Sequence, residues 1–310
     1  MKLAHIRLLV LFLSAGVLSA CGKSNDQINT DDIAASIQQS VQQSIIEENE
    51  AARLQSYETT SETTVSEPQI LENDDFRYVY DNEVEGIKLL KYIGTGRDII
   101  IPDEIDGQPV RIIGKDFAYK ADGIISITVS DSVTEIQDRA FAFSFGEIET
   151  IGANVEVIGN SAFDHCKIKH DLIIPDSVKI IGESAFATMN SDYGLTLGKG
   201  IEIIKKSAFS GAFENVDEIT IPGNVKEIEE QAFFYNHINK YNLEEGVEYV
   251  GSLALNLEYG GYVYLPQSLK NIHKIAITAD WFRVIYNDTE YNTRDVLNPA
   301  LEANGVRVFG

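Results

Sequence analysis

The dipeptide Ala-Phe returns at Ala140-Phe141, Ala162-Phe163, Ala185-Phe186, Ala208-Phe209 and Ala232-Phe233, at intervals of 22 to 24 residues. Phe117 precedes the series, and Ala254-Leu255 and Ala276-Ile277 continue it with aliphatic side chains. A unit of that length cannot bury its apolar side alone, so the chain has to stack its units one on another. Stacked arrays of this kind work mainly by presenting a surface and seldom enclose a catalytic pocket.

The interval sets the register of everything between. In the fourth unit, Leu172-Ile173-Ile174-Pro175 reads as a first strand, Asp176-Ser177 as a turn and Val178 to Gly182 as a second strand. A compact turn holding Ala185-Phe186 then closes the rung. Strand alternation sends Leu172, Ile174, Val178 and Ile181 inward. The same inward pairs recur as Ile127/Val129, Leu195/Leu197, Ile219/Ile221, Tyr241/Leu243 and Val263/Leu265. The expected core is thus a set of columns, one of them formed by Phe117, Phe141, Phe163, Phe186, Phe209 and Phe233. A second check on register is the residue after the valine of the second strand, which reads Glu156, Lys179, Glu202, Lys226, Glu248, Lys270. With rungs stacked about 4.8 Å apart, these predict an exposed ladder of alternating sign.

Eight such rungs fill residues 97–280. Before them, residues 76–96 alternate as a capping hairpin around Phe76, Tyr78, Tyr80 and Ile87. After them, residues 281–310 predict a C-terminal cap of strand, short helix over 295–303 and final strand.

The first 75 residues belong to a different regime. Lys2 and Arg7 precede an uncharged run from Leu8 to Ala20, the pattern of an export signal over residues 1–20 and too short to span a bilayer comfortably. Leu18-Ser19-Ala20-Cys21 resembles a bacterial lipobox, which implies cleavage before Cys21 and diacylglycerol on its sulfur. Two or three acyl chains would anchor the mature protein stably, at about 0.8 kcal/mol per buried CH₂. Residues 21–75 read as a lipidated cysteine followed by an acidic, low-complexity stalk unable to bury enough apolar surface to order itself. Within it, Ile33, Ile37, Val41 and Ile45 predict a marginal amphipathic helix over 31–54.

Charge excludes some functions. The formal charge is −23, and removal of the signal, with Lys2 and Arg7 and no acid, takes it to about −25. So acidic a surface repels nucleic-acid phosphates and anionic headgroups, which leaves the lipid anchor as the only expected membrane contact. Once Cys21 is lipidated, Cys166 is the one remaining thiol and no intrachain disulfide can form.

The rungs Ile174-Pro175-Asp176-Ser177-Val178-x-x-Ile181-Gly182-x-x-Ala185-Phe186 and Ile221-Pro222-x-x-Val225-x-x-Ile228-x-x-x-Ala232-Phe233 resemble the BspA-like leucine-rich repeat. Residues 101–110 resemble the longer first rung such proteins carry. The resemblance covers 76–310 and implies a right-handed, β-rich solenoid of parallel strands with short turns or 3-10 segments. It also implies a place on the bacterial cell envelope, outside the cytoplasm, and a role in adhesion or protein recognition. Gly152-Ala153, Gly198-Lys199 and Glu244-Glu245 lack the family's proline.

Neither a cofactor nor a metal is expected, since no Asp-x-Asp-x-Asp-Gly loop occurs. The tempting reactive cluster is His165-Cys166 with His170, the only basis for a hydrolase. Cys166, however, falls where other rungs carry Ser144, Met189, Ala212 and Asn236, a closing-turn position, so it is assigned to structure and no catalytic residue is named. Binding is expected instead along the outward column Ile100, Thr128, Thr150, Ile173, Thr196, Thr220, Asn242 and Tyr264, which is uncharged. On a sheet of about 35 to 40 Å, that column can hold a protein contact of about 800 Å² per partner. Aromatics gather towards the C-terminal rungs, at Tyr241, Tyr249, Tyr259, Tyr262, Tyr264 and Trp281. They mark either the hot end of a binding surface or ordinary packing. A protein partner on a host or neighbouring cell is the leading expectation, and a glycan stacked on Tyr259, Tyr262, Tyr264 or Trp281 is the alternative.

Overall fold

The closing turn organises each rung. Its backbone runs through consecutive turns, seen in the bonds Ala140 N–H to Gln137 O, Ala142 N–H to Arg139 O and Ser144 N–H to Phe141 O. In most closing turns two residues four apart take positive φ, for example Arg139 (55°) and Phe143 (57°), then Ser161 and His165, then Ser184 and Thr188. Left-handed backbone is unfavourable for such residues, and hydrogen bonds to the next rung hold it: Arg139 N–H to Asn160 O, Ser161 N–H to Glu183 O, Ser184 N–H to Lys206 O. Among the described residues the turns contain no 3-10 segment.

The computed structural model describes residues 69–278 and 281–310. The signal, Cys21, the stalk and its helix over 31–54 lie outside the described residues.

Stacking the turns brings the second strands into a single sheet of 13 strands, the back of the solenoid. Gln108–Ile113, Glu135–Ile136, Val157–Ile158, Ile180–Ile181, Ile203–Ile204, Glu227–Ile228, Tyr249–Val250 and Asn271–His273 pair in parallel from rung to rung. The antiparallel hairpin Phe76–Asp81 with Gly86–Tyr92 covers one end. At the other end, Arg307–Phe309 pairs with Asn271–His273 after the helix Arg294–Ala303 has packed Leu297 and Leu301 inward.

The expected inward residues are buried, including Leu172 at 2%, Ile174 at 1%, and Val178 and Ile181 at 0%. The rings of Phe141, Phe163, Phe186, Phe209 and Phe233 stack with centroids 5.3 to 5.4 Å apart and planes within 12°. Phe117 joins differently. Its neighbour Asp116 aligns with Arg139, so Phe117 stands at the alanine position and Ala118 at the phenylalanine position. The Phe117 ring accordingly meets Phe141 at 79°.

The alternating ladder lies in one line, each member immediately before a back strand. It closes only in part. Lys179 reaches Glu156 at 2.6 Å and Lys270 reaches Glu248 at 2.7 Å. Lys226 instead donates to the carbonyls of Gly223 and Gly246 at 2.9 and 3.1 Å, where a cluster of backbone acceptors is nearer than either carboxylate.

Candidate functional site

The first strands form the opposite, front face. The eight outward residues do point to solvent, with Ile100 and Ile173 each 63% exposed and Tyr264 38% exposed. Thr150 and Thr196 are also exposed, while Thr128, Thr220 and Asn242 are half-buried. The structure does not join them into one sheet. Ile100, Thr128 and Thr150 align across one three-stranded sheet, Ile173 and Thr196 across a two-stranded sheet, and Thr220, Asn242 and Tyr264 across a six-stranded sheet. The expected continuous front sheet is therefore replaced by three.

The first break coincides with a change in segment length. Ser144 and Ile148 are four residues apart, whereas Cys166 and Leu172, like Met189 and Leu195, are six apart. Third and fourth rungs meet at Glu147 and Lys167 and then diverge. In the third rung the register also slips, Ile127 facing Ile148 but Thr128 facing Thr150, so that Glu149 is an extra, bulged residue. The divergence leaves an open cleft of about 570 Å³, floored by Ile148, Ile151 and Leu172 with Ile173 beside them. The spacing Ile148 to Ile151, against Leu172 to Ile174, was the signal in the sequence for this bulge.

At the C-terminal end the aromatics divide. Tyr241 is fully buried, its hydroxyl donating to Asn256 O at 3.3 Å and pushed well above the usual phenol pKa by burial. Tyr249 lies on the back, stacked with Phe309 at 5.6 Å. Neither belongs to a front surface. Tyr259 (71% exposed) and Trp281 (44%) stand 6.1 Å apart, centroid to centroid. Tyr262 is half-buried beneath Arg283, whose guanidinium carbon sits 3.5 Å from the ring centroid. Lys240 lies 5.0 Å over Tyr264 and is paired with Glu218 at 3.0 Å. Arg283 and Lys240 escaped the sequence reading. They occupy the neighbouring outward column Glu218, Lys240, Tyr262, Arg283, whose first three members stand two residues before Thr220, Asn242 and Tyr264. Cation–π contacts of this kind hold the aromatic faces in place.

The reactive-looking cluster is placed as structure. Cys166 is buried, with Sγ 3.4 Å from Phe141 O and 3.6 Å from Ser144 Oγ. Burial pushes the Cys166 thiol up to about 12, far from the thiolate a nucleophile needs. His165 turns to Asp164 at 2.7 Å and stacks on Phe143 at 4.2 Å, while His170 is exposed with Nδ1 3.0 Å from Asp171 O. Asp164 is itself raised, chiefly by burial, against the opposing effect of His165. Among the described residues no three His, Cys, Asp or Glu side chains converge as a metal site. No helix there is long and apolar enough to cross a membrane.

The chain matches the family described as BspA type leucine rich repeat region, in six copies over residues 111–212 and 156–279. None of the curated proteins matches it. Among solved structures it is similar to a leucine-rich repeat protein from Bacteroides ovatus, at 22% identity and a TM-score of 0.46 over 66% of this chain and 61% of that one. It thus spans under two thirds of that protein's length. It is also similar to a leucine rich cell surface protein from Faecalibacterium prausnitzii, at 16% identity and 0.36 over 69% and 86% of the two chains. The pneumococcal vaccine antigen PcpA is similar at 15% identity and 0.42 over 78% and 98%. With the matched copies spanning more than half of its residues, the chain belongs to the BspA-type leucine-rich repeat family.

Proposed function

We propose that the chain is a bacterial surface protein, anchored through lipid on Cys21, whose front face recognises a protein on a host or neighbouring cell. The observation that carries this reading is the front column itself. It leaves Ile100, Ile173 and Tyr264 exposed on a solenoid whose interior is otherwise filled, and exposed apolar side chains ordered along one face mark an interaction surface. The family is one of repeat-built surface proteins, and the acidic net charge of −23 disfavours nucleic acid. Nothing in the surroundings of Cys166 and His165 supports a hydrolase.

The anchor is tested by metabolic labelling with palmitate: label should enter the wild type and be absent from Cys21→Ser, and label retained in the variant would refute the anchor. Recognition is tested by retaining proteins from host or co-resident cell extracts on the full chain. Tyr264→Ala should reduce retention of the specific partner by about tenfold or more, in the range of an aromatic hot spot. Undiminished retention would move the site elsewhere.

A second reading is favoured by the exposed pair Tyr259 and Trp281, 6.1 Å apart, which offers two aromatic faces to a sugar ring. A glycan array separates the two: binding abolished by Trp281→Ala, with no protein retained, would favour the glycan.

A further inference from the structure

The cleft between the third and fourth rungs is the one place where the first half of the front face opens between unpaired strands. No lysine or arginine is among its lining residues, whose one nitrogen base is His170, and its floor of Ile148, Ile151 and Leu172 is apolar, with Ile173 63% exposed beside it. Its mouth carries four carboxylates, Asp131, Glu149, Asp171 and Asp176.

Three of these have a structural duty. Asp131, Asp171 and Asp176 each accept a backbone N–H from the following rung, from Ala153, Gly194 and Lys199 at 2.7 to 3.0 Å. Glu149 has none. It is the bulged residue, it is exposed, and among the described residues its side chain makes no hydrogen bond or ion pair. Its neighbour Glu147 holds Lys169 at 2.7 Å, and Lys169 also feels the charge of Glu149 without pairing with it, so Glu149 is the carboxylate at the cleft with no direct partner.

The geometry narrows the occupant. The carboxylates ring the mouth without three converging, so a bare metal ion finds no coordination sphere. An apolar slot leading to spread negative charge complements a long aliphatic stem ending in a cation. The field of a chain of net charge −23 steers such a group inward. We infer that this cleft receives a lysine or arginine side chain from a basic segment of the protein partner. The inference rests on the reading of the front face as a protein-recognition surface and assigns that partner its charge.

The test uses the full chain and two fluorescent peptides of equal charge, hexalysine and a hexamer of the shorter-stemmed 2,4-diaminobutyrate. Hexalysine should bind about three- to tenfold more tightly, because only its stem is long enough to cover the floor. Glu149→Lys should weaken hexalysine by about tenfold, while Glu183→Lys, an exposed reversal outside the cleft, should cost about twofold. Ile173→Ser should weaken it by about threefold. Equal losses for the two reversals, or equal affinity for the two peptides, would show diffuse attraction to an acidic protein and overturn the proposal. The peptide comparison on the unaltered chain decides the matter even should Glu149→Lys fail to fold. Retention of the protein partner separates the two levels. Loss with Tyr264→Ala but none with Glu149→Lys removes the cleft and keeps the front face. Indifference to both Tyr264→Ala and Ile173→Ser removes the front face itself.

Discussion

The back and front of this solenoid are made by the same rungs yet organised differently. The second strands join one sheet of 13 strands, while the first strands fall into sheets of three, two and six. The difference lies in spacing. From the inward residue of the turn to that of the back strand is three residues in every rung from the second to the eighth, as in Val133 to Ile136 and Val178 to Ile181. From there to the closing alanine is always four, as in Ile136 to Ala140 and Ile272 to Ala276. Segments leading to the front strands vary in length, from four residues between Ser144 and Ile148 to seven between Ala212 and Ile219, and the front falls into three sheets, although some unequal neighbours such as Val216–Ile221 and Phe233–Leu243 still pair. The back and closing turn thus form a scaffold of fixed length, and the variation in length falls on the segments leading to the face of Ile100, Ile173 and Tyr264, although Ile180 on the back and Tyr235 beside a closing turn are exposed as well.

The largest contrast should come from the column both faces share. Phe186 is fully buried between Phe163 and Phe209, at 5.3 and 5.4 Å. Rigid rungs on either side prevent collapse, so Phe186→Ala should cost about 3 to 5 kcal/mol in a denaturant melt. A neutral result would refute the stacked column. Next, Cys166 should resist alkylation at pH 8 by at least about a hundredfold relative to the chain in urea, because the thiolate is scarce and the sulfur covered. The sign follows from a folded pKa of about 12 against an ordinary value of 9.0. The neutral thiol is the form the fold favours, so its contribution is intact below pH 9 and lost as pH rises towards 12. Peptide mapping of the alkylated sites measures this, and fast native labelling would place the thiol at the surface.

On the back sheet, a Cβ at Gly182 would meet Asn160 N at 2.5 Å and Gly159 C at 2.6 Å, both backbone. Gly182→Ala should therefore cost about 1 to 3 kcal/mol by forcing neighbouring rungs apart. Lys179→Ala removes the exposed pair with Glu156 and should cost less than about 1 kcal/mol, vanishing in high salt. A front substitution such as Tyr264→Ala should cost no more than about 1 kcal/mol, most of it the contact with Lys240. A front change as costly as Gly182→Ala would make the front part of the scaffold.

Most of the scaffold was legible in the sequence, because the inward columns repeat at fixed spacing and burial follows alternation at Leu172, Ile174, Val178 and Ile181. What was not legible depends on contacts between rungs. The bulge at Glu149 leaves a trace in the sequence, three residues from Ile148 to Ile151 against two from Leu172 to Ile174, but its place in the ladder shows only where Thr128 faces Thr150. Lys226 bonds to Gly223 and Gly246 because the turns of two rungs converge on it. Tyr241 was read both as an inward residue and as part of an aromatic surface, and its rung position decided for burial. Arg283 and Lys240 stand in the next outward column, and only stacking of the rungs brings them over Tyr262 and Tyr264.

The central claim is that recognition belongs to the front and support to the back. The most direct measurement compares partner retention by three full-length proteins: wild type, the front double variant Ile173→Ser/Tyr264→Ala, and the back variant Lys179→Ala. The account predicts a loss of about tenfold or more for the front variant and less than about twofold for the back one, with all three melting within a few degrees of one another. Equal retention by wild type and front variant, or loss on the back variant alone, would contradict it.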